Sequence, residues 1–145
     1  MSVTQNDPGV VFLGGDRTQI GDTAAKAAIT PGHLIERVNT AGVWQWQKHA
    51  TAAVAANTVA TDQAMLNKGV DDAYAAGDLV EASIVAKGSS WWMFIASGQN
   101  IAYGDGLESA GDGTLRVLAA GVRLFTALET KANVTVQTRI RVEAE

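Results

Sequence analysis

The sequence of 145 residues has no cysteine and only two histidines, His33 and His49. Without cysteine there is no disulfide, no thiolate nucleophile and no cysteine-bound zinc, so packing or assembly must stabilise the fold. The serines lack the Gly-x-Ser-x-Gly pattern of a nucleophile elbow, and no paired carboxylates indicate acid–base catalysis. We therefore predict that the protein is not an enzyme and holds no cofactor and no metal.

Charge is also scarce. Eleven Lys and Arg stand against fifteen Asp and Glu, and only 18% of the residues are charged. The basic residues are scattered singly, which argues against binding to nucleic-acid phosphates. No apolar run approaches the roughly 20 residues that span a bilayer, and the first residues lack the basic end and apolar core of a signal peptide. These patterns predict a protein that is made and kept soluble, with neither nucleic acid nor membrane as a partner.

Apolar residues, in contrast, are abundant and make up 47% of the chain. A chain of this length forms one domain and buries roughly two thirds of its unfolded surface. So many apolar residues with so few charges suggest that a partner covers part of the folded surface.

From Ile29 onward, short apolar segments alternate with Gly, Asp, Asn and Pro, which is typical of a single all-β sandwich or barrel of antiparallel strands. In the last and clearest strand, period two places an apolar set on one buried face and the charged residues in water. The apolar set is Val134, Val136, Thr138, Ile140 and Val142. We expect residues 122–128 to pair with this strand as a hairpin.

Three other segments carry local signals. Residues 79–86 and 91–96 flank a Lys-Gly-Ser-Ser sequence, which predicts a second hairpin, and 91–96 is apolar on both faces and so should be covered on both. Residues 71–77 predict one short helix, capped by Asp71 or Asp72 and ended by a left-handed Gly77.

Residues 1–28 are rich in Gly, Asp, Thr and Ala, and their one apolar cluster is Val10, Val11, Phe12 and Leu13. Because no sustained period runs through them, we interpret them as an extended N-terminal arm whose apolar cluster packs on a partner. Residues 29–145 then form the β domain. The alternative is that the cluster forms an ordinary first strand of that domain.

The stretch AYGDGLESAGDGTLRV, residues 102–117, is the densest in glycine and carboxylates. Asp105, Glu108 and Asp112 do not have the spacing of a calcium loop. No Lys with Ser or Thr and no helix follows the glycines, as a phosphate loop requires. Turns between strands remain as the interpretation, because Gly adopts positive φ and Asp bonds to its own backbone.

The aromatic residues leave two hypotheses open. Trp44 and Trp46 would share one strand face, where they could stack a sugar or pack in a core or subunit contact, and the second is commoner.

His33 and Glu36 could hold a metal if they lay on a helix, but on a strand, positions three apart point to opposite faces.

The segments ITPGHLIERV, KHATA, DDAYAAGDLVEA, SGQNIAYGDGLESAGDGTLRV, and ALE followed by TRIRVE occur in the order seen in tailed-phage capsid decoration proteins. The chain resembles this family of cement, or head-stabilising, proteins from about Ile29 to Glu143. Residues 1–28 and the run from Trp44 to Trp46 lie outside the pattern.

The resemblance implies a small β-tulip-like domain without catalytic residues. It implies a structural virion protein that binds the outer surface of the mature phage capsid, where it bridges and stabilises subunits of the major capsid protein. Such a protein is made in the host cytoplasm and binds as a homotrimer, with a dimer as the alternative. The candidate residues for contact with the capsid or between subunits are Val10, Val11, Phe12, Leu13, Trp44 and Trp46.

Three other functions stay open at this stage. The chain could be a different virion component, such as a head-fibre base or a tail protein. It could be a carbohydrate-binding module that uses Trp44 and Trp46. A hydrolase would come into question only if a ligand pocket formed around His33 or His49.

Overall fold

The computed structural model describes residues 7–145. The first six residues of the predicted arm therefore lie outside the described residues. The described strands are β1 (Phe12–Gly14), β2 (Arg17–Ile20), β3 (Leu34–Thr40), β4 (Val43–Lys48), β5 (Thr58–Ala60), β6 (Ala82–Val85), β7 (Ser90–Ile95), β8 (Gly106–Ser109), β9 (Leu115–Val117), β10 (Phe125–Ala127) and β11 (Thr138–Ala144). A 3₁₀ turn spans Ala64–Leu66. In this range no helix has the length and apolar character needed to cross a membrane.

Five strands close into a small barrel in the order β7, β11, β10, β8 and β9. Four of the five pairs are antiparallel. The closing pair, β7 with β9, is parallel, and Ile95 lies opposite Leu115 there. β1 pairs with the beginning of β7, where Phe12 lies opposite Trp91. Closure leaves the barrel few free edges.

The second sheet is antiparallel, with strands in the order β2, β6, β5, β3 and β4. Beyond β2, the chain returns to the far edge: Trp46 of β4 donates its backbone N–H to Ala24 and accepts one from Lys26. The edge strand β4 is thus covered at Trp46, whereas toward its beginning at Val43 no strand of the described part of the chain pairs with this edge.

Two clusters of apolar side chains form the core. The larger one fills the barrel, and Leu34 and Val59 of the second sheet join it. The smaller one covers the opposite face of that sheet, where Ile35 and Ala60 point, and includes Trp46 and Tyr74. Because side chains alternate along a strand, β3 and β5 contribute to both clusters.

The structure confirms the predicted all-β fold. β10 and β11 pair as expected, with Phe125 opposite Ala144. Trp91 to Ile95 are buried on both faces of β7. In the last strand Ile140 and Val142 are buried, but the strand begins only at Thr138, and Val136 is exposed.

The second predicted hairpin is wrong. β6 pairs with β2 and β5, whereas β7 pairs with β11 and β1, so the Lys-Gly-Ser-Ser turn carries the chain from one sheet to the other. β7 is covered on both faces and is an inner strand of its sheet. It is hydrogen-bonded to β11 along one edge and to β1 and β9 along the other.

The predicted helix at residues 71–77 is also wrong, although Gly77 does have a positive φ of 91°. Tyr74 instead forms an isolated antiparallel bridge with Ile29, and its side chain is buried. Its hydroxyl donates to the carbonyl of Thr61 and accepts the N–H of Glu81, and burial raises the pKa of Tyr74 far above its usual value. These partners lie far along the chain, beyond the reach of local capping rules.

The expectation that the polar residues of the last strand face water is wrong for Arg139, whose side chain is 8% exposed. Arg141, at 17% exposure, bonds to Glu129 at 2.8 Å. The loops around Pro31 and Val70 cover this face of β11, because both carbonyls accept hydrogen bonds from Arg139.

The hairpin joining β3 and β4 turns through Ala41 and Gly42, with φ of 51° and 86°. Positive φ at both central residues is what a type I′ turn requires, and Asn-Gly suits it better than Ala-Gly. Ala41→Asn should therefore raise the free energy of unfolding by about 0.5 to 1 kcal/mol, measured by urea denaturation. Gly42→Ala should lower it by about 1 kcal/mol, although no atom of the described residues lies within 4 Å of the added methyl. Equal stability of both variants and the parent would contradict this account of the turn.

Candidate functional site

The β3–β4 hairpin exposes apolar side chains at its tip, where Val43 and Trp44 are 58% and 59% exposed. Residues 38–47 contain no charged side chain. Trp46, two positions along the same face, is instead only 3% exposed and packs in the smaller core. The structure therefore leaves Trp44, and not the predicted pair, available to a partner.

The predicted apolar cluster at Val10 to Leu13 is divided between core and surface. Val11 is fully buried, and its N–H donates to Asp62 at 3.0 Å. Phe12 packs on Trp91 with ring centroids 4.9 Å apart, and Leu13 is half-buried. Val10 is 43% exposed. Val11 is thus buried within its own chain, and Val10 is the most exposed member of the cluster.

Residues 1–28 were predicted to form an extended arm, but two segments among them are hydrogen-bonded into the two sheets. Residues 12–14 pair with β7 and residues 17–20 pair with β6. This matches the alternative that the sequence left open, an ordinary first strand, and β1 occupies the edge of β7 beside Trp91.

A second exposed apolar surface surrounds the 3₁₀ turn. This Met65 patch is defined by Val10, Met65, Leu66 and Leu79, and Met65 is fully exposed. Val10, Met65 and Leu66 line a groove of about 410 Å³, and Gln63 holds the turn to the carbonyl of Leu79. The sequence pattern did not predict the Met65 patch. The available indication was the pair Met65-Leu66, which lies between the polar residues Gln63 and Asn67.

The polar groups that could suggest catalysis are buried. His49 Nδ1 lies 2.6 Å from Ser109 Oγ, and His49 Nε2 lies 3.8 Å from a Glu36 carboxylate oxygen. Ser109 is fully buried and His49 is 3% exposed, so this serine oxygen cannot reach a substrate in solution. Ser109 also accepts the N–H of Gly111. Because His49 follows β4 of the second sheet and Ser109 belongs to β8 of the barrel, the His49–Ser109 contact joins the two sheets.

Residues 102–117 form turns and two strands, as interpreted from the sequence. Gly104, Gly111 and Gly113 have positive φ, and β8 and β9 pair as a hairpin. Glu108 of β8 is buried and accepts hydrogen bonds from the Ala119 N–H and from Arg116. The hydrogen bond from the Ala119 N–H is the main cause that lowers the pKa of Glu108. Desolvation acts in the opposite direction but is the smaller effect.

His33 and Glu36 have separate hydrogen-bond partners. His33 is buried, where Nδ1 accepts the N–H of Thr30 and Nε2 lies 3.2 Å from Gln137 Oε1. Burial lowers the pKa of His33 to about 4. No group of three or more His, Asp or Glu side chains arranged to hold a metal occurs in residues 7–145.

No family model and no curated protein matches the sequence. Among solved structures, the chain is similar to the N base of the head fiber gp8.5 of bacteriophage phi29, with a TM-score of 0.61 and 14% sequence identity. The similarity covers 90% of this chain and 95% of that chain. The two chains thus share a fold over almost their full lengths.

Proposed function

We propose that this protein is a structural component of a phage head, and that it attaches to the shell as a head-fibre base does. The observation that carries this proposal is the shared fold with a head-fiber base over 90% of the chain. It supports the alternative raised from the sequence, a head-fibre base, better than the capsid decoration protein that the sequence motifs suggested.

The proposed partners are the major capsid protein and further copies of this chain, as a trimer or a dimer. The surfaces proposed for these contacts are the hairpin tip at Trp44 and the Met65 patch. Exposed Trp and Met side chains are well suited to this, because aromatic residues and Met are enriched at protein interfaces. The buried Val11 contributes only by holding β1 in place.

Attachment of this kind stabilises whichever state of the shell displays the binding site. A standard interface buries about 1,600 Å² in total, and its affinity depends on a few well-packed residues more than on its area. Since Trp44 is exposed and lies beside uncharged neighbours, it is the best candidate for such a residue.

The carbohydrate-binding alternative is not favoured by the geometry. It needed Trp44 and Trp46 together on one open face, and Trp46 is buried beneath Arg37, whose guanidinium lies 4.9 Å from the Trp46 ring centroid.

The test is co-sedimentation of the purified protein with phage heads assembled without it. Wild-type protein should bind saturably, and Trp44→Ala and Met65→Asp should each weaken binding about tenfold. The matched controls are Tyr103→Ala and Val136→Asp, which alter side chains that are 71% and 67% exposed outside both surfaces. Failure of the folded wild-type protein to bind heads would overturn the proposed function. Equal losses in variants and controls would overturn the two surfaces.

A further inference from the structure

A groove of about 320 Å³ lies on the second sheet, on the face that carries the smaller core. The strand register places the side chains of Ile20, Ile84, Thr58, Ile35 and Trp46 on this one face. Ile20 and Ile84 are half-buried and line the groove. The groove is therefore continuous with the core but open to a partner.

The volume and lining restrict what can bind. Ligand pockets measure about 300 to 1,000 Å³, so this groove is at the lower limit and suits a large side chain better than a cofactor. Three isoleucines line it. The carboxylate at its edge, Glu36, already accepts hydrogen bonds from Gln47 and from the N–H of Ala50. An uncharged, apolar group is the one that fits.

A buried donor adds a second requirement. Trp46 lines the groove, and its indole Nε1 has no hydrogen-bond acceptor within the described part of the chain. A buried donor is normally paired, so the occupant should supply a neutral acceptor such as a carbonyl oxygen. The Arg37 guanidinium lies over the Trp46 ring with its side chain 41% exposed, and it is the cover that an occupant would displace.

The edge of β4 supplies a third observation. The backbone N–H and C=O of Trp46 point away from β3, because they bond to Ala24 and Lys26. Antiparallel pairing alternates, so the N–H and C=O of Trp44 point toward the same edge. Among residues 7–145, β4 is the last strand of its sheet there. An open edge of this kind binds an added extended strand.

We propose that this groove binds an uncharged, extended segment of a protein partner, with a large apolar side chain between Ile20 and Ile84 and a backbone carbonyl accepting from Trp46 Nε1. The segment continues along the open edge at Trp44. This inference rests on the proposed function for the source of the segment, a protein of the phage shell.

The first experiment is an NMR titration of the full-length, ¹⁵N-labelled protein with N-acetyl-leucinamide, which carries an apolar side chain and carbonyl groups. We expect the Trp46 indole N–H resonance to shift saturably. N-acetyl-glycinamide, which lacks the side chain, should not shift it. Absence of a saturable shift with the leucine probe, or equal shifts with both probes, would overturn the inference.

The second experiment is head co-sedimentation with Ile84→Glu, which adds a charge to the groove, and with Trp46→Phe, which keeps an aromatic ring, although a smaller one, and removes the indole N–H. Trp46→Phe should weaken binding about fivefold, as loss of one hydrogen bond predicts, and Ile84→Glu should weaken it more. If wild-type protein binds heads and both variants bind equally well, the groove is not the docking site, while the proposed function stands. If wild-type protein does not bind heads, the proposed function fails, and the titration alone decides whether the groove accepts such a segment.

Discussion

Replacing Arg139 by alanine is expected to lower the free energy of unfolding by about 3 to 5 kcal/mol, because two carbonyls lose hydrogen bonds from a charged donor, each worth about 1.5 to 3 kcal/mol. The Nε and Nη2 groups both donate to the carbonyl of Pro31 at 3.1 Å, and Nη2 also donates to the carbonyl of Val70 at 2.5 Å. The guanidinium also lies 4.3 Å from the Phe94 ring centroid. Alanine would leave both carbonyls without their donor and uncover an aromatic face.

Asp71 provides the control that separates these contacts from a simple ion pair. Arg139 Nη1 lies 2.9 Å from its carboxylate, but the Asp71 side chain is 89% exposed. Asp71→Asn should therefore change stability by less than about 0.5 kcal/mol. Both variants can be compared by urea denaturation at neutral pH. An Arg139→Ala loss no larger than that of Asp71→Asn would contradict the assignment of Arg139 as the link between β11 and the two loops.

Acidification from pH 7.5 to pH 5 is expected to remove about 2 kcal/mol of stability through His33 alone. Burial lowers the pKa of His33 from 6.5 to about 4. The unfolded chain therefore binds a proton between these values when the folded protein does not, so stability falls as the pH falls through this window. In the fold, Nδ1 accepts the N–H of Thr30 and cannot do so when protonated.

His33→Asn tests this assignment, because the Asn oxygen can still accept the Thr30 N–H but does not titrate. The variant should show a flatter dependence of the free energy of unfolding on pH between 7.5 and 5. The lowered pKa values of Glu108 and Glu145 affect stability chiefly below about pH 5, as the unfolded carboxyl groups begin to bind protons. A profile as steep in His33→Asn as in the parent would assign the effect to another group.

The candidate site was only partly predictable. The sequence singles out Trp44 as a contact candidate, and the structure exposes it at the tip of a hairpin that the sequence did not predict. That Trp46 would be covered depends on Ala24 and Lys26, twenty or more residues earlier, returning to the edge of β4. The Met65 patch escaped prediction because exposure of a 3₁₀ turn has no periodic signal.

The sequence by itself determined the all-β class, the turns at the glycines of residues 102–117 and the full burial of β7, because period and turn chemistry are local properties. Only the tertiary structure decided which strands pair. β6 and β7, separated by four residues, belong to different sheets, while β1 and β7, far apart along the chain, are neighbours. The alternation of apolar and polar residues along a strand predicts which side chains share a face, but it does not predict which other segment covers that face. For this reason Arg139, on the polar face of its strand, is buried, and the apolar Trp44 is exposed.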